Sequence, residues 1–89
     1  MASEMLSVAQ RVRDMVAQVL ARKRGQAPES IPLDTPLLGE GLGLDSADTL
    51  GLVVTIEDAF SIQFDDQDLT ADVFRDIGTL AAAVAGKLG

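Results

Sequence analysis

Ser46 is the residue whose type and setting best suit chemistry in this chain. It sits where a glycine-rich stretch, Gly41-Leu42-Gly43-Leu44-Asp45, gives way to a run that stays apolar through Phe60. The chain has no Cys, His, Trp or Tyr, so the side chains that ordinarily activate a serine or attack a substrate are missing. Neither lysine, Lys23 or Lys87, can be assigned as a base, which excludes self-catalysed nucleophilic attack. Any reactive group must therefore be attached to the chain by another enzyme. A serine at a helix N-terminus suits an anionic attachment, because unpaired backbone N–H groups and the positive end of the helix dipole lie beside its oxygen. Taken alone, Asp45-Ser46 ahead of an apolar helix also reads as a simple cap. On these two residues both readings stay open.

The elements that must position Ser46 are helical. Residues 4–22 read as an amphipathic helix, with Val8, Val12, Met15, Val16, Val19 and Leu20 at three- and four-residue spacings. Ser3 is its expected N-cap, Arg22-Lys23-Arg24 complement its C-terminal dipole, and Gly25 is its expected stop. Residues 25–44 form a long connection holding Pro28, Pro32 and Pro36, which rule out a regular helix. Yet Ile31, Leu33, Leu37, Leu38, Leu42 and Leu44 recur through it, so an ordered loop pinned to the core is expected, with room for one helical turn near Pro36. Such long loops tend to be functional. A second helix is expected over 46–60, capped by Asp45 or Ser46. After a polar connection, a short helix is expected over 70–74 with Thr70 as cap. The last helix is expected over 77–88 behind an Asp76 cap, with Ile77, Leu80, Ala81, Val84 and Leu88 turned inward. The fold class is all-α: a bundle of three main helices plus a short one before the last.

Composition bounds what this bundle can do. Eighty-nine residues at 47% apolar content form a small folded domain with an aliphatic core, since aromatics are only 3%. The formal charge of −7 argues against nucleic acid, whose phosphates would be repelled. The charge is uneven: residues 1–24 carry five basic and two acidic side chains, whereas Glu29 to Asp76 holds twelve acidic residues against Arg75 alone. Partners approaching Ser46 are expected to be basic. No stretch has the length of a membrane span or the pattern of a signal peptide, and the absence of Cys fits the cytosol, so a cytoplasmic protein with no metal site of its own is expected. Nothing reads as a large obligate interface, so a monomer is expected.

The second helix has two apolar faces when its residues are placed about 100° apart. Leu52, Val53, Ile56 and Phe60 make one. Ala47, Leu50 and Val54 make another, nearly opposite, with Gly51 and Asp58 beside it. A small bundle needs one such face for its core. The second face either packs beneath the long loop, against Leu42 and Leu44, or stays open as a docking strip or cavity lining.

The run Leu44-Asp45-Ser46, Asp48-Thr49-Leu50, Leu52-Val53 and Ile56-Glu57-Asp58-Ala59-Phe60 resembles the prosthetic-group helix of acyl carrier proteins. Asp34-Thr35-Pro36-Leu37 is similar to the anchored part of that family's first loop, and Phe74-Arg75-Asp76-Ile77-Gly78-Thr79-Leu80 to its junction with the last helix. The resemblance implies an acyl-carrier-like bundle in which Ser46 carries 4′-phosphopantetheine through a phosphodiester. The prosthetic thiol would then hold acyl cargo as a thioester, supplying what a Cys-free chain lacks. It implies a phosphopantetheinyl transferase drawing on coenzyme A with Mg²⁺, with Asp45 engaging both. It implies acyl-loading and acyl-transferring partners with basic docking surfaces, met by Asp48, Glu57 and Asp58; the second apolar face adds Ala47, Leu50, Gly51 and Val54 as docking candidates. Two departures stand out: Ala47 replaces a bulky aliphatic, and Gly51 an often acidic residue. They point to a discrete carrier in polyketide or other specialised biosynthesis. The alternatives are a carrier of amino- or hydroxyacyl cargo, or an unmodified helical interaction module.

Overall fold

The computed structural model describes residues 2–25, 31–39 and 41–88, with side chains from Ser7 onward except that of Arg24. Three helices make the frame: α1 over Ala2–Arg24, α2 over Ser46–Phe60 and α3 over Ile77–Leu88. Among the described residues the only β pairing is two isolated bridges, so the chain is all-α. No helix of those residues is long and apolar enough to cross a membrane. The expected positions of Pro28 and Glu29 lie outside the described residues.

Helix α1 is longer at both ends than the apolar spacing over 4–22 predicts. It begins at Ala2, so Ser3 lies inside it rather than capping it. It ends at Gly25, whose φ of +87° and N–H bond to the Ala21 carbonyl (2.8 Å) make the left-handed stop that glycine favours. Val12, Val16 and Leu20 are fully buried, and Met15 packs at the edge of the same cluster. Asp76 caps α3: its Oδ1 accepts the Thr79 N–H at 2.8 Å, and Thr79 Oγ1 accepts the Asp76 N–H at 3.1 Å. Ile77, Leu80, Ala81 and Val84 face inward, but Leu88 is 48% exposed. Leu88 keeps the helical spacing, yet the last turn of α3 has run beyond the buried cluster, whose final member is Val84.

The long loop belongs to the core. Ile31, Leu37, Leu42 and Leu44 are buried, and Leu37 is wholly inaccessible. Near Pro36 a single turn forms, the Thr35 N–H bonding the Pro32 carbonyl at 3.1 Å, but no helix, and Pro36 itself is paired. Pro36 bridges Asp76, Leu38 bridges Leu44, and the Leu37 N–H bonds the Arg75 carbonyl at 3.2 Å. The Gly78 N–H bonds the Leu33 carbonyl at 2.9 Å, and the Leu42 N–H bonds the Pro36 carbonyl at 2.8 Å. Gly41 lies so close to that carbonyl that a Cβ would overlap the Pro36 oxygen. The loop thus folds back on itself and is stitched to the start of α3.

The helix expected over 70–74 does not form. Val73 N–H reaches Thr70 C=O and Arg75 N–H reaches Asp72 C=O, which are three-residue turns and not helical four-residue bonds. Pairing of Arg75 and Asp76 with the loop demands extended backbone there, and burial of Phe74 pulls the turns inward. A short 3₁₀ turn lies earlier instead, at Asp66–Asp68. Because Leu37 is fully buried and its neighbour Leu38 is 37% exposed, Leu37→Ala should cost about 2–5 kcal/mol of stability. Leu38→Ala should stay within about 0.5 kcal/mol. Urea melts followed by far-ultraviolet circular dichroism compare the two.

Candidate functional site

Asp45 is the N-cap of α2, with extended backbone (φ −101°, ψ −176°) and a reciprocal capping box to Asp48. Asp45 Oδ1 accepts the Asp48 N–H at 2.9 Å, and Asp48 Oδ2 accepts the Asp45 N–H at 3.1 Å. Ser46 is the first helical residue, held between these two caps and exposed. Its carbonyl accepts the Thr49 hydroxyl at 3.0 Å, but its own Oγ has no hydrogen-bond partner among the described residues. The cap is Asp45; the serine hydroxyl is left over. It stands in the first turn, where amide N–H groups and the helix dipole favour an anion.

The second apolar face of α2 is open. Leu50 is 63% and Val54 51% exposed, while Leu42 and Leu44, under which they could have packed, are buried elsewhere in the core. The face is split between two grooves. Ser46, Thr49, Leu50 and Val53 line one of about 400 Å³ with Leu38, Leu69, Thr70, Ala71 and Phe74, almost wholly apolar. Ala47, Asp48, Gly51 and Thr55 line another of about 360 Å³ with Val19, Arg22 and Lys23 from α1. A Cβ at Gly51 would meet nothing within 4 Å, so no internal packing demands a glycine there.

The acidic residues expected to meet partners differ in what they already hold. Lys23 Nζ lies 2.7 Å from Asp48 Oδ2 and 3.5 Å from Asp45 Oδ2. Residue order assigns Lys23 to the dipole of its own helix; it reaches instead to the cap of the next one. Glu57 Oε2 accepts the Phe64 N–H at 2.8 Å, tying α2 to the connection after it. Asp58 is exposed. Spacing also gives no hint of Leu38, Leu69, Ala71 and Phe74 as neighbours of Ser46, because two segments outside α2 deliver them. Among the described residues no acidic cluster could hold a metal.

An all-α bundle with an exposed serine at a helix start, beside an apolar groove, is an arrangement that suits a carrier of a covalently attached group. Known proteins agree. A family model described as the phosphopantetheine attachment site matches residues 10–84. An acyl carrier protein of Campylobacter hominis is 33% identical over 63 residues, spanning 71% of this chain and 73% of that one. The fold is similar to a crystal structure of an acyl carrier protein from Thermotoga maritima, with a TM-score of 0.68 and 23% identity over 91% of both chains. This chain belongs to the acyl carrier protein family. It is a carrier and not an enzyme, its cofactor is covalent 4′-phosphopantetheine, and its partners are the transferase and acyl-handling enzymes.

The Lys23 bond holds the Asp48 carboxyl below the usual range, helped by the Asp45 N–H, and the same bond raises Lys23 above its ordinary 10.5. Lys87 does the same for Asp68, helped by the Asp65 N–H. A depressed carboxyl stabilises the fold above the ordinary value of 3.8, and that contribution is lost as pH falls through the lower folded value. A raised lysine contributes below 10.5, and its share is lost as pH rises through the higher folded value. Side-chain carboxyl NMR should find Asp48 titrating below 3.8, and Lys23→Met should bring it back toward that value.

Proposed function

We propose that Ser46 is the attachment serine, in a carrier domain formed by residues 1–89 and acting as a cytoplasmic monomer in polyketide or other specialised biosynthesis. The observation that carries the reading is the exposed Ser46, whose hydroxyl has no partner among the described residues, on the rim of the apolar groove. The residues fit the group: the first turn of α2 favours a phosphodiester, and the groove offers apolar cover to the arm beyond the phosphate. When bound, the group supplies a thiol for acyl thioesters, which a chain without cysteine cannot supply itself.

This chain's own residues orient and present. Asp45 fixes the turn carrying the serine and offers a carboxylate to the transferase and its Mg²⁺. The acidic charge of α2 steers basic partners, and Leu50 and Val54 offer them an apolar centre. The specialised pathway is supported by Ala47 and Gly51. A mid-helix glycine costs about 1 kcal/mol against alanine, and here nothing inside the molecule needs it. Its smallness therefore faces outward, toward a partner that approaches the helix closely.

Incubation with coenzyme A, Mg²⁺ and a broad-specificity transferase tests the attachment by intact mass. Wild type should gain one phosphopantetheine and Ser46→Ala none. An unmodified wild type beside a modified control carrier overturns the reading. Pathway choice is tested separately with reconstituted fatty-acid synthase enzymes. Turnover should be about tenfold below that of their own carrier, a difference of one strong interface contact. Joint Ala47→Leu and Gly51→Glu substitution should raise it, whereas parity of the wild type refutes a specialised role.

A further inference from the structure

The Asp45–Asp48 box places two carboxylates of like charge beside Ser46, and the structure treats them unequally. Asp48 Oδ2 accepts both the Asp45 N–H and the Lys23 ammonium, the latter at 2.7 Å, and its side chain is only 20% exposed. Asp45 Oδ2 is 3.5 Å from Lys23, and its side chain is 62% exposed. The same division recurs elsewhere. Asp68 Oδ2 accepts the Asp65 N–H at 2.8 Å and the Lys87 ammonium at 2.7 Å, at 33% exposure. Asp65 stays 3.9 Å from Lys87 and 80% exposed. Both lysines of the chain are thus spent on the second aspartate of an Asp-x-x-Asp turn, leaving the first one outward.

We propose that Lys23 is a specificity-determining residue: it withdraws Asp48 from the docking surface and leaves Asp45 as the single carboxylate offered to a basic partner beside Ser46. The inference deepens the reading of Ser46 as the attachment site and rests on it. An ammonium already bonded to Asp48 leaves a partner cation a strained choice, since taking that carboxylate means breaking an internal ion pair as well as desolvating it. Asp45 is held more loosely, with Lys23 3.5 Å from its Oδ2 against 2.7 Å for Asp48. Its Oδ1 is used by the cap, and its side chain is 62% exposed against 20% for Asp48. One fixed carboxylate next to the acceptor hydroxyl orients a partner more sharply than two interchangeable ones.

The test measures the KM of a phosphopantetheinyl transferase for the carrier, with coenzyme A and Mg²⁺. The carriers are wild type, Asp45→Asn and Asp48→Asn, each with Lys23 and with Lys23→Met. Asparagine keeps an oxygen for the cap N–H, and circular dichroism melts verify that each variant is folded. With Lys23 present, Asp48→Asn should change KM by less than about twofold, and Asp45→Asn should raise it about fivefold. With Lys23→Met, Asp48→Asn should also raise KM about fivefold, a coupling a purely structural lysine would not produce. Lys23→Arg should restore the wild-type pattern. If Lys23→Met melts too low to assay, carboxyl NMR on the wild type decides: added transferase should shift Asp45 and leave Asp48 unmoved. Equal effects of Asp45→Asn and Asp48→Asn with Lys23 in place, or an equal NMR shift, overturn the proposal while leaving the attachment site standing. A wild type that gains no phosphopantetheine removes both.

Discussion

Leu37 is fully buried although it belongs to no helix, and the position of Ser46 hangs from that burial. The segment from Ile31 to Leu44 carries four buried aliphatics, so the core of this small bundle is closed by a loop as much as by helices. Burial of an irregular segment obliges its backbone polar groups to find partners. They find them in Arg75, in Gly78 and in the loop itself. The chain leaving this stitched loop reaches α2 at one place and in one direction. Asp45 then needs only a local capping box to complete the presentation of the serine.

Electrostatics solves a second problem, that of an acidic chain with few cations to spend. The start of α2 takes Lys23 from the end of α1, and the 3₁₀ turn takes Lys87 from the end of α3. The last turn of α2 has no basic residue of its own. Arg11 serves it from α1, donating to the Ala59 carbonyl at 3.4 Å with its guanidinium 4.1 Å from the centre of the Phe60 ring. These contacts are exposed and individually weak. Their value lies in orientation: each ties a terminus of one element to another and so fixes which polar groups remain outward.

The second face of α2 is open and not a packing seam, with Leu50 and Val54 exposed. Its two grooves flank the same turn, one apolar and one edged with charge. On the proposed attachment at Ser46, a tethered group and a visiting protein would have different sides of the residue to use. Glu57, Asp48 and Asp45 all hold internal bonds, and of these Asp45 stays exposed, as does Asp58. Acidity read along the helix overstates the charge that a partner can reach.

Much was legible in residue order because local physics decides it. The 3.6-residue spacing of Val12, Val16 and Leu20, of Leu52 and Ile56, and of Leu80 and Val84 reflects the helical repeat itself, and Asp45 and Asp76 cap through neighbours three residues away. The motif around Ser46 identified the family for the same reason, being one contiguous run. The missing helix at 70–74, the exposure of Leu88, the reach of Lys23 and the groove walls at Leu38, Leu69 and Phe74 were not legible. Each depends on where a distant segment lies: extended pairing of Asp76 with Pro36 overrides local helix propensity, and an ammonium on α1 meets an aspartate twenty-five residues on. Sequence alone determined the family and which serine to propose for modification. Only tertiary structure decided what surrounds it, because grooves and ion pairs are properties of segments brought together.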